Sequence, residues 1–170
     1  IDFVQALAFS CDTYFYTVAY DLYRYNPHYA PTVARQFGLG EPTQIGQIGE
    51  ASGLIPDPAW KLTTYGEPWV PGDSVNMGIG QGYVLVTPLQ IAEMLAAVRN
   101  GGTLYRPQLV HHIAPPGGSA TYQLEPIANG KLPVTPEQLA VIQEGLRGVT
   151  TVQGGTARHR FLDLGIPVAG

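Results

Sequence analysis

Three consecutive side chains near the start of this 170-residue chain carry a hydroxyl, a thiol and a carboxylate: Ser10, Cys11 and Asp12. A hydroxyl can attack a carbonyl or pass a proton on, and a carboxylate can accept hydrogen bonds or hold an ammonium group. The bland alternative is structural. Ser and Asp before a helix are favoured N-caps, and spacing alone favours capping over chemistry for Ser10 and Asp12. Ser10 has no Gly-x-Ser-x-Gly elbow around it and no adjacent base, so nothing local activates it as a nucleophile. Cys11 reads as a packing residue.

The other clusters that could carry chemistry are weaker. Gly78-Ile79-Gly80-Gln81-Gly82 suggests a phosphate loop, but Tyr83 stands where a dinucleotide fingerprint needs glycine, and no Gly-Lys-Ser/Thr follows. Close packing of this backbone against a neighbouring element is the expectation. His111 and His112 are adjacent on a predicted strand, so their side chains should point to opposite faces and not share a metal. His28 and His159 have no ligand-like spacing to them, and neither a metal nor a cofactor is expected.

The opening trio needs elements to hold it, and the pattern on both sides is helical. Phe3 to Ala8 reads as the end of a truncated helix. Phe15, Val18, Ala19 and Leu22 mark one face of a second, running from about Thr13 to Arg24 or Tyr25 and stopped by Asn26-Pro27. The trio thus falls in a tight break between two buried helices. A further helix is predicted over Pro31 to Phe37, ended by Gly38-Leu39-Gly40. Residues 41–74 are rich in glycine and proline and read as a long ordered loop. Trp60 and Trp69 should pin it by burying their rings, with plain packing the simpler role for each. Thr87-Pro88-Leu89-Gln90 and Thr135-Pro136-Glu137-Gln138 are capping boxes with proline in the first turn, and each predicts a helix. Their apolar faces are Ile91, Leu95 and Val98, and Leu139, Ile142, Leu146 and Val149. Between them, 103–114 and 120–127 read as two strands joined at Pro115-Pro116-Gly117-Gly118. Leu164 to Ala169 reads as a final extended piece.

The composition is 45% hydrophobic and 13% charged, that of a folded domain, and 170 residues suffice for one core. A net charge of −4 without any Lys/Arg run argues against nucleic acid or an anionic membrane as partner. Cys11 is the only cysteine, which excludes an internal disulfide. The residues begin inside an apolar pattern without Met and stop without a closing element, so the expectation is an internal piece of a longer protein.

Taken in order, several stretches resemble the transpeptidase domain of class B penicillin-binding proteins, most closely the elongation-type subfamily, penicillin-binding protein 2. They are Ser10-Cys11-Asp12-Thr13-Tyr14-Phe15-Tyr16, Ser52-Gly53-Leu54-Ile55-Pro56 with Trp60-Lys61, and Trp69-Val70-Pro71-Gly72-Asp73. Gly78 through Tyr83, Thr87 to Gln90, Asn100-Gly101-Gly102, Arg106-Pro107 and Gly155-Thr156-Ala157 follow. The resemblance implies the α/β serine transpeptidase or β-lactamase-like fold, with 1–170 a partial domain made of its helical part, long loops and a small β-hairpin. Of the three motifs of the family, Ser10-Cys11-Asp12 would be the second, Ser-x-Asn. The first, Ser-x-x-Lys, should lie upstream of Ile1, and Lys-Thr-Gly should follow Gly170.

The resemblance implies acyl transfer on peptidoglycan stem peptides by an upstream serine, in cell-wall elongation and cell shape. Ser10 would relay a proton between the catalytic Lys and the leaving amine. Asp12 departs from Asn and, as a pure acceptor, would hold the Lys ammonium more than the substrate. It also implies stem peptide and β-lactams as ligands, a glycosyltransferase as partner, and a site on the outer face of the cytoplasmic membrane, anchored outside these residues. Two other functions compete: a penicillin-recognising sensor, whose second motif would carry an apolar third residue instead of Asp12, and a non-enzymatic interaction module.

Overall fold

The computed structural model describes residues 1–46, 48–162 and 164–170. Its elements in chain order are α1 (Phe3–Ala8), α2 (Asp12–Tyr25), α3 (Tyr29–Gln36), α4 (Pro58–Tyr65), α5 (Pro71–Met77) and α6 (Pro88–Arg99). The strands β1 (Thr103–Tyr105), β2 (His112–Ile113), β3 (Tyr122–Gln123) and β4 (Ala128–Lys131) follow, then α7 (Pro136–Thr151) and α8 (Arg158–Phe161). Two compact units divide them. One comprises Ile1–Val33, Pro56–Val84 and Val134–Gly170; the other comprises Ala34–Ile55 and Leu85–Pro133.

In the first unit α1 packs on α7, and α2 packs on α5. Glycines set both distances. A Cβ on Gly145 would lie 2.6 Å from Leu7 Cδ2, and one on Gly148 would lie 2.8 Å from Ala8 Cβ, so α7 meets α1 almost backbone to backbone. A Cβ on Gly78 would lie 2.6 Å from Ala19 Cβ of α2, the close packing expected of the glycine cluster. Gly80 and Gly82 instead serve as turn residues, at φ 71° and 75°. Helix α7 starts at its expected box, with Thr135 accepting from Gln138 N and Gln138 Oε1 from Thr135 N.

Two expectations fail here. Residues 41–74 are not one loop, because α4 and the first turn of α5 form inside them. Asp57 accepts from Trp60 N with Pro58 in the first turn, and Gly66 closes α4 at φ 70°, so local caps outweigh the lack of a long apolar period. Nor is α1 the end of a longer helix. Asp2 and Gln5 form a reciprocal capping box, which starts it at Phe3. Trp69 is buried, donating from Nε1 to Ser74 Oγ at 2.8 Å, while Trp60 is half-buried against Tyr65 and Tyr83.

The second unit is organised around Gln90. Its Oε1 accepts from Thr87 N, completing the capping box of α6, and its Nε2 donates to Glu41 O at 2.6 Å and Ser52 O at 2.9 Å. The side chain is fully buried. Glu50 closes the preceding loop in the same way, accepting from Thr43 N, Thr43 Oγ1 and Gln44 N. The Thr43 hydroxyl, ahead of the backbone donors, holds this carboxyl below its usual range.

The strands depart from the expected hairpin. Its Pro115–Gly118 turn is there, but the pairing beside it is only His112–Ile113 with Tyr122–Gln123. The first predicted strand is broken, and its start, β1, pairs antiparallel with β4, which was not expected as a strand. Pairing partners 25 or so residues apart leave no local trace. The late segment 164–169 forms no strand among the described residues. It returns to α7, with Thr150 Oγ1 donating to Val168 O and Gly170 N to Leu146 O.

Gln90→Leu should destabilise the chain by on the order of 2–4 kcal/mol, since two loop carbonyls lose the fully buried donor they face. Thr87→Ala, which removes one cap, should cost about 1 kcal/mol. Urea denaturation of both variants checks the order, and a Gln90→Leu loss no larger than that of Thr87→Ala would show that the loops do not depend on Gln90.

Candidate functional site

Helix α1 ends in a turn that fixes the trio. Cys11 N donates to Ala6 O at 2.9 Å, Ser10 N donates to Leu7 O at 3.3 Å, and Ser10 has φ 50°. These are the paired bonds and the left-handed residue of a Schellman stop, in which glycine is the usual occupant. Here the position carries serine, and its side chain is exposed. A left-handed non-glycine residue costs about 1 kcal/mol, and such outliers cluster at functional sites.

The capping expectation for Ser10 and Asp12 is overturned. Cys11 is the N-cap of α2 and makes no side-chain cap bond, while Asp12 is already the first helical residue. Asp12 therefore lies in the first turn, where the amide groups at the helix N-terminus favour a carboxylate, and it is exposed. Cys11 is partly exposed. The Thr13 hydroxyl, 3.4 Å from Sγ, and then the backbone at Tyr14 lower its thiol below the usual range.

The turn rests on well-ordered packing. Thr156 N donates to Ala8 O, Ala157 N to Val149 O, and the Phe9 ring covers Gly154. Gly155 sits so close to the carbonyls of Gly148 and Val149 that any Cβ there would clash. The stretch Gly155-Thr156-Ala157 thus ties the end of α1 to the end of α7. Below the turn, Phe15 meets Phe3 edge-on at 6.4 Å.

A second polar centre, which sequence reasoning did not single out, lies where α4 meets α5. Lys61 is 5% exposed and donates to Asp73 Oδ2 at 2.8 Å, with Glu67 Oε2 at 3.9 Å. Asp73 Oδ2 also accepts from Val70 N at 2.8 Å, which starts α5. The hydrogen bond that Lys61 donates to Asp73 is the main cause that raises its ammonium above the usual value. The signal was there: a lysine inside Trp60-Lys61-Leu62 and an acid three residues into a Val-Pro start.

The two adjacent histidines depart from expectation. His111 precedes β2 and lies outside its pleat, so its ring is not held on the opposite face. The two Nδ1 atoms lie 3.1 Å apart. Among the described residues no group of three or more His, Cys, Asp or Glu could hold a metal ion.

The family model for the penicillin-binding protein transpeptidase domain matches residues 1–170. The chain belongs to this family. Peptidoglycan D,D-transpeptidase MrdA of Haemophilus influenzae is 34% identical over 171 residues, covering 99% of this chain and 25% of the relative. The corresponding protein of Escherichia coli K12 is 30% identical over 161 residues, covering 95% of this chain and 25% of the relative. Penicillin-binding protein 2 of Pseudomonas aeruginosa, solved in complex with WCK 5153, superposes with a TM-score of 0.77 at 32% identity, over 94% of this chain and 33% of that one. The same protein of Helicobacter pylori, solved with MreC, gives a TM-score of 0.81 at 26% identity over 99% of this chain and 29% of that one. The resemblance to the penicillin-binding protein 2 type and to its transpeptidase fold is borne out. The chain spans about a quarter of the length of the curated relatives it matches. Its described residues are helix-rich with a few short strands and no closed sheet. No helix of the described residues is long and apolar enough to cross a membrane.

Lys61→Met should lower the melting temperature more than Lys61→Met combined with Asp73→Asn, because the single change strands a carboxylate and the double one does not. The folded pKa of Lys61 is raised, so the pair's contribution is complete below the ordinary lysine range and fades only as pH rises through the raised value. Melting curves from neutral to strongly alkaline pH check both; equal losses in the single and double variants would refute the charge pairing.

Proposed function

We propose that the complete protein is a peptidoglycan D,D-transpeptidase of cell-wall elongation that is acylated by penicillins, and that this chain supplies the second of its three catalytic motifs. The observation that carries the reading is Ser10: a serine held left-handed at a helix stop, side chain outward, in a chain matching the transpeptidase family from end to end. The nucleophilic serine and its lysine lie upstream of Ile1 in a Ser-x-x-Lys motif, and Lys-Thr-Gly follows Gly170, so that 1–170 is a partial domain.

In the reaction the upstream serine Oγ attacks the carbonyl of the terminal D-Ala-D-Ala bond. The C–N bond then breaks, D-Ala leaves as the protonated amine, and an amine of a neighbouring stem later displaces the serine ester. The catalytic Lys takes the proton of the attacking serine, and Ser10 Oγ then accepts a proton from that Lys and gives its own to the departing nitrogen. Asp12 cannot donate to a substrate carbonyl, and its role is to hold the lysine ammonium. Stem peptides and β-lactams are the ligands, and a glycosyltransferase of the elongation machinery is the partner; the domain works on the outer face of the cytoplasmic membrane, anchored by residues outside this chain.

A fluorescent penicillin should label the complete protein covalently and leave residues 1–170 alone unlabelled. Label on Ser10 itself would overturn the motif assignment. Asp12→Asn in the complete protein should slow acylation roughly tenfold and move the acid limb of its pH profile downward, because an ammonium that loses a carboxylate partner gives up its proton more readily. An unchanged rate and profile would rule out the charge pair.

A further inference from the structure

At the C-terminal end of α5 lies a depression of about 290 Å³, lined among others by Trp69, Asp73, Asn76, Met77, Gln81 and Tyr83. Its polar groups share one property: none offers an uncompensated charge. Asp73 is the only ionisable carboxylate in the lining, and it is matched by the buried Lys61 ammonium and by Val70 N. What remains are two carboxamides, which both donate and accept, set against aromatic and thioether surface.

Tyr83 carries the aromatic surface outward. Its ring lies 5.4 Å from Tyr65 at an interplanar angle of only 31°, and Trp60 lies 5.2 Å away. Tyr65 is 52% exposed and Tyr83 is 38% exposed, so part of this aromatic cluster stands in water beside the amides. A ligand that suits this combination has an apolar C–H face to lie on a ring and an edge of hydroxyl or acetamido groups for the amides. A peptide end, with its carboxylate or ammonium, finds no free opposite charge here.

We propose that this depression and its aromatic rim form a subsite for a neutral N-acetylated amino sugar of a glycan strand. The proposal rests on the transpeptidase reading, in which the glycan carries the stem peptide that is cut and joined. The spacing suits it. Gly78 lies on Ala19 of α2, and from Asp12 to Ala19 the helix rises about 10 Å. A peptide of about five residues spans up to about 17 Å, which exceeds that rise.

The test uses the complete protein and a neutral tetramer of N-acetylglucosamine, followed by saturation-transfer NMR and by titration of tryptophan fluorescence. The parent should bind saturably with a change in tryptophan emission, and Gln81→Ala and Tyr83→Ala should each weaken binding at least tenfold. Gln81→Ala, an exposed truncation, keeps the test sound if Tyr83→Ala unfolds. No saturable binding by the parent, equal affinity in a folded Gln81→Ala variant, or a sugar-free stem peptide producing the same emission change would each overturn the subsite. Penicillin acylation of the parent separates the two claims: an acylated parent that ignores the tetramer loses only the subsite, whereas a parent that is never acylated loses the transpeptidase reading as well.

Discussion

The close approach of α1 to α7 is the constraint on which the site depends. With glycine at 145 and 148, the backbone of α7 comes near enough to Leu7 and Ala8 to clamp a helix of only six residues. A helix so short has little stability of its own, and most of what holds it must be tertiary packing. Once α1 is clamped, its Schellman stop sets the direction of Ser10, and the next residue but one already begins α2. The second tie, from Gly155-Thr156-Ala157 to the ends of both helices, closes the same corner. A side chain at Gly148 would push against Ala8 of α1 and one at Gly145 against Leu7, either of which would shift the Ser10 hydroxyl, while one at Gly155 would force the Gly155-Thr156-Ala157 tie off α7.

Away from that corner the chain solves one problem repeatedly: how to order glycine- and proline-rich backbone. Each solution is a single polar side chain that makes several hydrogen bonds at once. Gln90 gathers two loop carbonyls and the start of α6, Glu50 gathers three donors of the loop before it, and Asp73 joins Lys61 to the start of α5. Buried backbone groups away from regular structure must find partners, and a few multidentate side chains do this with little apolar area.

Legibility in the sequence followed locality. The helices begun by Thr87 and Thr135 could be read because a reciprocal capping box writes both partners within four residues. Helices α4 and α5 are eight and seven residues long and carry no apolar period, so only their caps marked them. The pairing of β1 with β4 joins segments distant in the chain, whereas the Pro-Gly turn between β2 and β3 is local and was found. At the site the order of the motif was legible, but its geometry was not. Ser and Asp before a helix read as caps, and nothing in a serine announces a left-handed backbone at a position that favours glycine. That mismatch between residue and conformation is visible only in the structure.

We propose that Ser10 is kept for its hydroxyl at some expense to the fold. Ser10→Gly in the complete protein tests this directly, because glycine suits the left-handed turn and removes only the hydroxyl. The predicted result is a melting temperature equal to or above that of the parent together with acylation by penicillin slowed roughly a hundredfold, the low end of what a lost proton relay costs. Parent-like acylation by a stably folded Ser10→Gly variant would contradict it.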